Sequence, residues 1–136
     1  MGKEIFKTKP LFQQVTKSHG SLLFFDFPNL VEKMKHEQSW INGELNAMVL
    51  LKTPHKQIVL ATLHSGTEIQ SFQSNDSITF QIIEGKLAFH TRKKTVNLNK
   101  GQLLSLHENI KYSLTTEGET ILLLIIANVA LQLSKN

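Results

Sequence analysis

The chain of 136 residues contains no cysteine, one arginine, one tryptophan, one tyrosine and three prolines. Without thiols there is no disulfide framework, no thiolate nucleophile and no zinc site of the thiolate type. A cytoplasmic protein is the simplest expectation. Long apolar runs are also missing: the longest, Ile121 to Ala127, has seven residues, against the roughly 20 that a membrane-spanning helix requires. The first apolar run, Leu22 to Phe27, comes late and is interrupted by Asp26, so neither a secretory signal nor a membrane partner is expected. The scarcity of arginine bears on the net charge of +4. Forked recognition of phosphate or guanine relies on arginine, and Arg92 stands alone. The lysines are scattered, apart from Lys3, Lys7, Lys9 and Lys17 near the start and Lys93-Lys94 beside Arg92. This pattern reads as a solvated basic surface rather than a nucleic-acid site.

What is present is a dense series of strand signals. Residues 1 to 20 show little periodicity and many lysines, as expected of a loosely held arm. Leu22 to Phe27 suits a short strand or a plug over the main body. Pro28-Asn29 then opens a short helix, with Asn29 three residues before Glu32 in the manner of a capping box, ending near His36 to Gln38. From Glu44 onward the period changes toward two. Ala47 to Leu51 and Gln57 to Leu63 flank the turn Thr53-Pro54-His55-Lys56. Further strands are expected near Glu68 to Phe72, Ser77 to Ile83, Lys86 to Arg92, Thr95 to Leu98, Leu103 to His107, Lys111 to Leu114 and Thr120 to Ala127. About nine short strands without intervening helical pattern predict an all-β, single-domain jelly-roll barrel over residues 44–136, with residues 1–43 as an arm and short helix packing on it.

The pleat assigns faces. Ile78, Phe80 and Ile82 share one side of their strand, as do Leu87 and Phe89 of the next, while His90 lies with Lys86 and Arg92 on the other. Ile121 to Ile126 is apolar on both sides, so its outer face needs a cover, either the amino-terminal segment or a second copy of the chain. A homodimer is the expectation, because large apolar patches are uncommon on monomers.

The spacings resemble those of the cupin superfamily. Its first motif is a glycine, five residues, His-x-His, three or four residues, Glu, six residues and a glycine. Here Gly66 is followed at the same intervals by Phe72-Gln73-Ser74, Ile78 and Gly85, and Phe80 to Leu87 is similar to the family's strand-turn-strand. In the second motif, Gly101 is followed by His107 in the proline place, Asn109 in the glycine place, Tyr112 in the histidine place and Thr116 in the asparagine place. The resemblance covers residues 64 to 127 and implies a cupin barrel with a short amino-terminal helix.

The resemblance also implies that the usual metal chemistry is lost. Family sites hold their ion with three histidines and a glutamate, and the matching positions are Phe72, Ser74, Ile78 and Tyr112. Phenylalanine and isoleucine have no lone pair to donate, a neutral serine is a poor ligand for Mn, Fe, Ni or Zn, and tyrosine must first lose a proton with a pKa of about 10. No cofactor and no catalytic residue are therefore assigned, and no Gly-x-Ser-x-Gly elbow or glycine-rich phosphate loop is present. The expected activity is non-catalytic binding of a small apolar ligand in the barrel interior. Phe72, Ile78 and Phe80 would supply its oily wall, and Gln70, Ser74 and Tyr112 a few polar groups at its mouth. A barrel filled solid by its own side chains is the competing expectation. Two further readings stay open: a divergent metal enzyme with ligands relocated to His64, His107 and a carboxylate such as Glu68, and an interaction module acting through the basic amino-terminal arm.

Overall fold

A computed structural model describes residues 12–14, 22–70, 76–106 and 110–128. In chain order its elements are β1 (Phe12–Gln14), α1 (Phe27–Met34), α2 (Gln38–Ile41), β2 (Leu45–Lys52), β3 (Lys56–Leu63), β4 (Glu68–Gln70) and β5 (Asp76–Glu84). Then follow β6 (Lys86–Thr91), β7 (Thr95–Asn99), β8 (Leu103–Leu106), β9 (Tyr112–Thr116) and β10 (Thr120–Asn128). They form two sheets, one of order β1-β2-β3-β10-β5-β8 and one of order β4-β9-β6-β7. All pairings are antiparallel except that of β1 with β2. Among the described residues no helix is long and apolar enough to cross a membrane.

Alternation along the strands supplies the core between the sheets. Ile78, Phe80 and Ile82 of β5, Leu87 and Phe89 of β6, Leu114 of β9 and Leu122, Leu124 and Ile126 of β10 all point into it. The opposite face of β10 is apolar too, and it is covered from within the chain. Ile121 and Leu123 join Met48, Leu50 and Leu60 in a second cluster, closed over by Val31 and Met34 of α1. The face from which a homodimer was expected is thus occupied by the amino-terminal helix.

That helix starts three residues earlier than its sequence signal suggests. Asp26, not Asn29, is the N-cap: its carboxylate accepts hydrogen bonds from the Asn29 backbone N–H at 3.4 Å and side-chain amide at 3.0 Å. Pro28 then falls in the first turn, where a missing N–H costs nothing and the fixed φ suits the helix. The helix ends at Met34, and His36 lies just beyond it with Nδ1 2.8 Å from the Glu32 carbonyl, one of the carbonyls left unpaired at a helix end. Two short features carry no clear sequence signal: the four-residue α2 and the parallel strand β1.

One end of the barrel is tied shut by buried threonines. Thr116 Oγ1 accepts from the Thr67 N–H at 2.9 Å and donates to the His64 carbonyl at 2.7 Å. Thr120 Oγ1 lies 3.1 Å from the Lys86 carbonyl across the β5–β6 turn. That turn requires Gly85: its φ is +91°, and a Cβ there would run into the Glu119 carbonyl and stand 2.7 Å from Thr120 Cα. His64 extends the closure to α2, with Nε2 2.8 Å from the Trp40 carbonyl and its ring stacked on the Trp40 indole at 3.5 Å.

Candidate functional site

Strands β5 and β9 bring three of the expected interior positions into the packed core. Ile78 is 3%, Phe80 1% and Tyr112 7% exposed. Phe80, Phe89 and Tyr112 form an aromatic trio: Phe89 and Tyr112 stack with centroids 5.0 Å apart, and Phe80 meets Tyr112 edge-on at 5.7 Å and Phe89 at 5.5 Å. Such pairs contribute about 0.5–1.5 kcal/mol each beyond the burial of their area. At this level the described interior positions pack against one another.

Tyr112, expected among the polar groups at the mouth, packs its ring into the interior and also lines the hollow that Gln70 and Ser113 border; burial pushes its phenol up to about 12. Gln70 is not inside at all: in the three-residue strand β4 the apolar Ile69 takes the buried side, and the pleat turns Gln70 outward into solvent. Phe72 and Ser74 lie outside the described residues, as does His107.

The donor chemistry of the family's metal position can be judged at the two matching residues that are described. Ile78 offers no lone pair, and Tyr112 is held strongly in its protonated form. These residues do not fit a divalent ion. Among the described residues no group of three or more His, Asp or Glu side chains could hold one elsewhere. His64, named above as a relocated ligand, has its ring engaged by Trp40 instead.

Open space begins one layer farther out. Strand β7 ends the smaller sheet and β8 ends the larger one, and between these two edges lies a cleft of about 450 Å³. Its wall is apolar: Phe89 at the floor, then Val96, Leu104, Leu106 and Ile110. The sheets are drawn together at Leu98, which is buried, and part toward Val96, which is only partly covered. Around the cleft stand Arg92, Lys93, Lys94 and Lys111. A second hollow of about 400 Å³ adjoins it on the outer face of the smaller sheet. There the register sets Gln70, Ser113 and His90 side by side, next to Arg92 and Lys111. His90 is half-buried on that outer face, as the pleat requires, with Nδ1 3.0 Å from Thr95 Oγ1.

Sequence reasoning missed the cleft. The signals present were the shared face of Val96 and Leu98, the alternation of Leu104 and Leu106, and the Arg92-Lys93-Lys94 run. Nothing local indicates that β7 and β8 face each other.

The architecture is a two-sheet jelly-roll barrel with an apolar interior and one open end. It has the cupin fold. No family model matches the sequence, and no curated protein does. Among solved structures, a cupin-2 domain containing protein from Shewanella frigidimarina is similar over 76% of this chain and 94% of its own, with 15% identity and a TM-score of 0.62. The cupin domain of Schizosaccharomyces pombe Cnp3 matches over 68% of this chain and 70% of its own, at 18% identity and a TM-score of 0.61. Ectoine synthase from P. lautus matches over 62% of this chain and 64% of its own, at 18% identity and a TM-score of 0.57. At these identities the likeness establishes the fold, and function has to be argued from the site.

Proposed function

We propose that this chain is a non-catalytic cupin-fold binding protein that takes a small, largely apolar molecule at the barrel mouth rather than deep inside. The observation that carries the reading is the cleft between β7 and β8. Its volume of about 450 Å³ falls within the range of roughly 300–1,000 Å³ usual for small-ligand sites, and its wall is apolar. The aromatic trio beneath it supplies a rigid floor, so the cleft is a shaped surface and not a gap awaiting collapse. The absence of metal-ligand chemistry at Ile78 and Tyr112 supports binding without turnover.

Calorimetric titration with a homologous series of straight-chain alcohols tests this. Each methylene buried contributes about 0.8 kcal/mol, so affinity should rise about fourfold per carbon until the cleft is full and then level off. A series with no chain-length dependence, or no binding at all, would remove the proposal.

A further inference from the structure

We infer that the ligand of this mouth is an anionic amphiphile: an apolar tail held in the cleft between β7 and β8, and a carboxylate or comparable anionic head held at Arg92 and Lys111. This deepens the reading of the cleft as a small-molecule site and rests on it. Three observations carry it. First, the described rim is of one sign. Arg92, Lys93, Lys94 and Lys111 stand around the opening, and the described lining contains no carboxylate. Second, these cations have no acidic ion-pair partner among the described residues. Elsewhere Lys35 pairs with Glu119 at 2.7 Å, Lys100 with Glu84 at 2.9 Å and Lys86 with Glu117 at 3.8 Å. Among the described residues no acidic side chain makes such a pair with any of the four at the mouth. Like charges gathered without counter-charge repel one another, and an anion seated among them relieves that repulsion.

Third, the geometry separates tail from head. The apolar cleft and the polar hollow on the outer face share Thr91, Arg92 and Lys111. A molecule whose tail lies against Phe89, Leu104 and Leu106 would therefore bring its head over the end of β6. There Arg92 offers a forked set of donors matched to a carboxylate, and Gln70, His90 and Ser113 line the adjoining polar space. The sole arginine of the chain stands where the two cavities meet.

The test compares octanoate, octanol and octylamine by calorimetry on the full chain at low ionic strength. Octanoate should bind about tenfold more tightly than octanol, with a preference that shrinks as salt is added, and octylamine should bind more weakly than either. The double variant Arg92→Gln, Lys111→Gln should bring octanoate down to the level at which the same variant binds octanol. Lys100→Gln, at the closed end, should change neither. Leu104→Trp, which fills the cleft, should weaken both ligands at least tenfold, with melting curves confirming that the variants fold. Equal affinity for octanoate and octanol would overturn the anionic assignment while leaving the apolar site standing. Failure of both to bind would overturn the site itself. Octanoate binding that survives Leu104→Trp would place the anion elsewhere and overturn the inference.

Discussion

The two ends of the barrel use the same strands and the same pleat, yet one is sealed and the other is open. At the closed end, Leu63 of β3, Leu87 of β6 and Leu122 of β10 are fully buried. The backbone between strands is tied by Thr67, Thr116 and Thr120, each with a carbonyl or N–H partner. At the open end the inward residues Val96, Leu104 and Leu106 are only partly covered, and Arg92, Lys93 and Lys94 stand on the β6–β7 turn, whose backbone is tied by Thr91 Oγ1 to the Lys94 carbonyl at 3.0 Å. Small hydroxyl side chains satisfy the backbone groups of loops that fold inward over a core. Lysine and arginine cannot be buried there unpaired, so they hold a turn outward.

This contrast can be broken most severely at the boundary between the two regions. Phe80→Ala removes the side chain on which Phe89 and Tyr112 rest, and should cost about 3–5 kcal/mol in a denaturant titration while extending the cleft inward. Tyr112 tests the same boundary through pH. Its folded pKa of about 12 lies above the ordinary 10.0, so the unfolded chain loses this proton first and binds fewer protons above pH 10. The stabilisation is complete below about pH 10 and is lost as pH rises toward about 12, a fall of about 2–3 kcal/mol from this group. Because it is the only tyrosine, the near-ultraviolet absorbance of tyrosinate reads it directly. A midpoint near 10 in the folded protein would show that the phenol reaches water and that the boundary is not sealed.

The closed end is sharpened by three substitutions. Gly85→Ala meets both a positive φ and the backbone of Glu119 and Thr120, and should cost about 2–3 kcal/mol. Gly101→Ala, with φ +86° but nothing within 4 Å of its added Cβ, should cost only about 1–2 kcal/mol. Thr116→Val removes the 2.9 Å acceptor of the Thr67 N–H and one of the donors to the His64 carbonyl, which keeps Thr67 Oγ1 at 2.8 Å, and should cost about 1–2 kcal/mol by thermal melting. The smallest effect belongs to the mouth. Leu104→Ala removes a side chain already bordering open space, so chemical denaturation should show a loss below about 1.5 kcal/mol, less than core truncations produce.

Much of the fold was legible because its signals are local. The Thr53 turn appears as its composition suggests, with Thr53 Oγ1 accepting from the His55 and Lys56 N–H groups. The inward set Ile78, Phe80, Ile82, Leu87 and Phe89 follows from alternation alone. The site was less legible. Gln70 was expected among the polar groups at the mouth; it stands on the outer side of β4, whose inner side is taken by Ile69, and lines the polar hollow beside the cleft. Tyr112 was assigned to the entrance because of its hydroxyl. Its ring, however, has the larger surface to bury, and Phe80 and Phe89 lie where that ring can pack.

By itself the sequence determined nine of the ten described strands and their inner faces, since each depends on residue type and on a period of two within one segment. Only the tertiary structure decided that α1 covers the outer face of β10, that His64 stacks on Trp40, and that β7 and β8 end as facing edges with a basic rim. Those facts depend on which strands pair across long stretches of chain. Pairing is settled by the burial available to the whole molecule, and no segment carries that information alone.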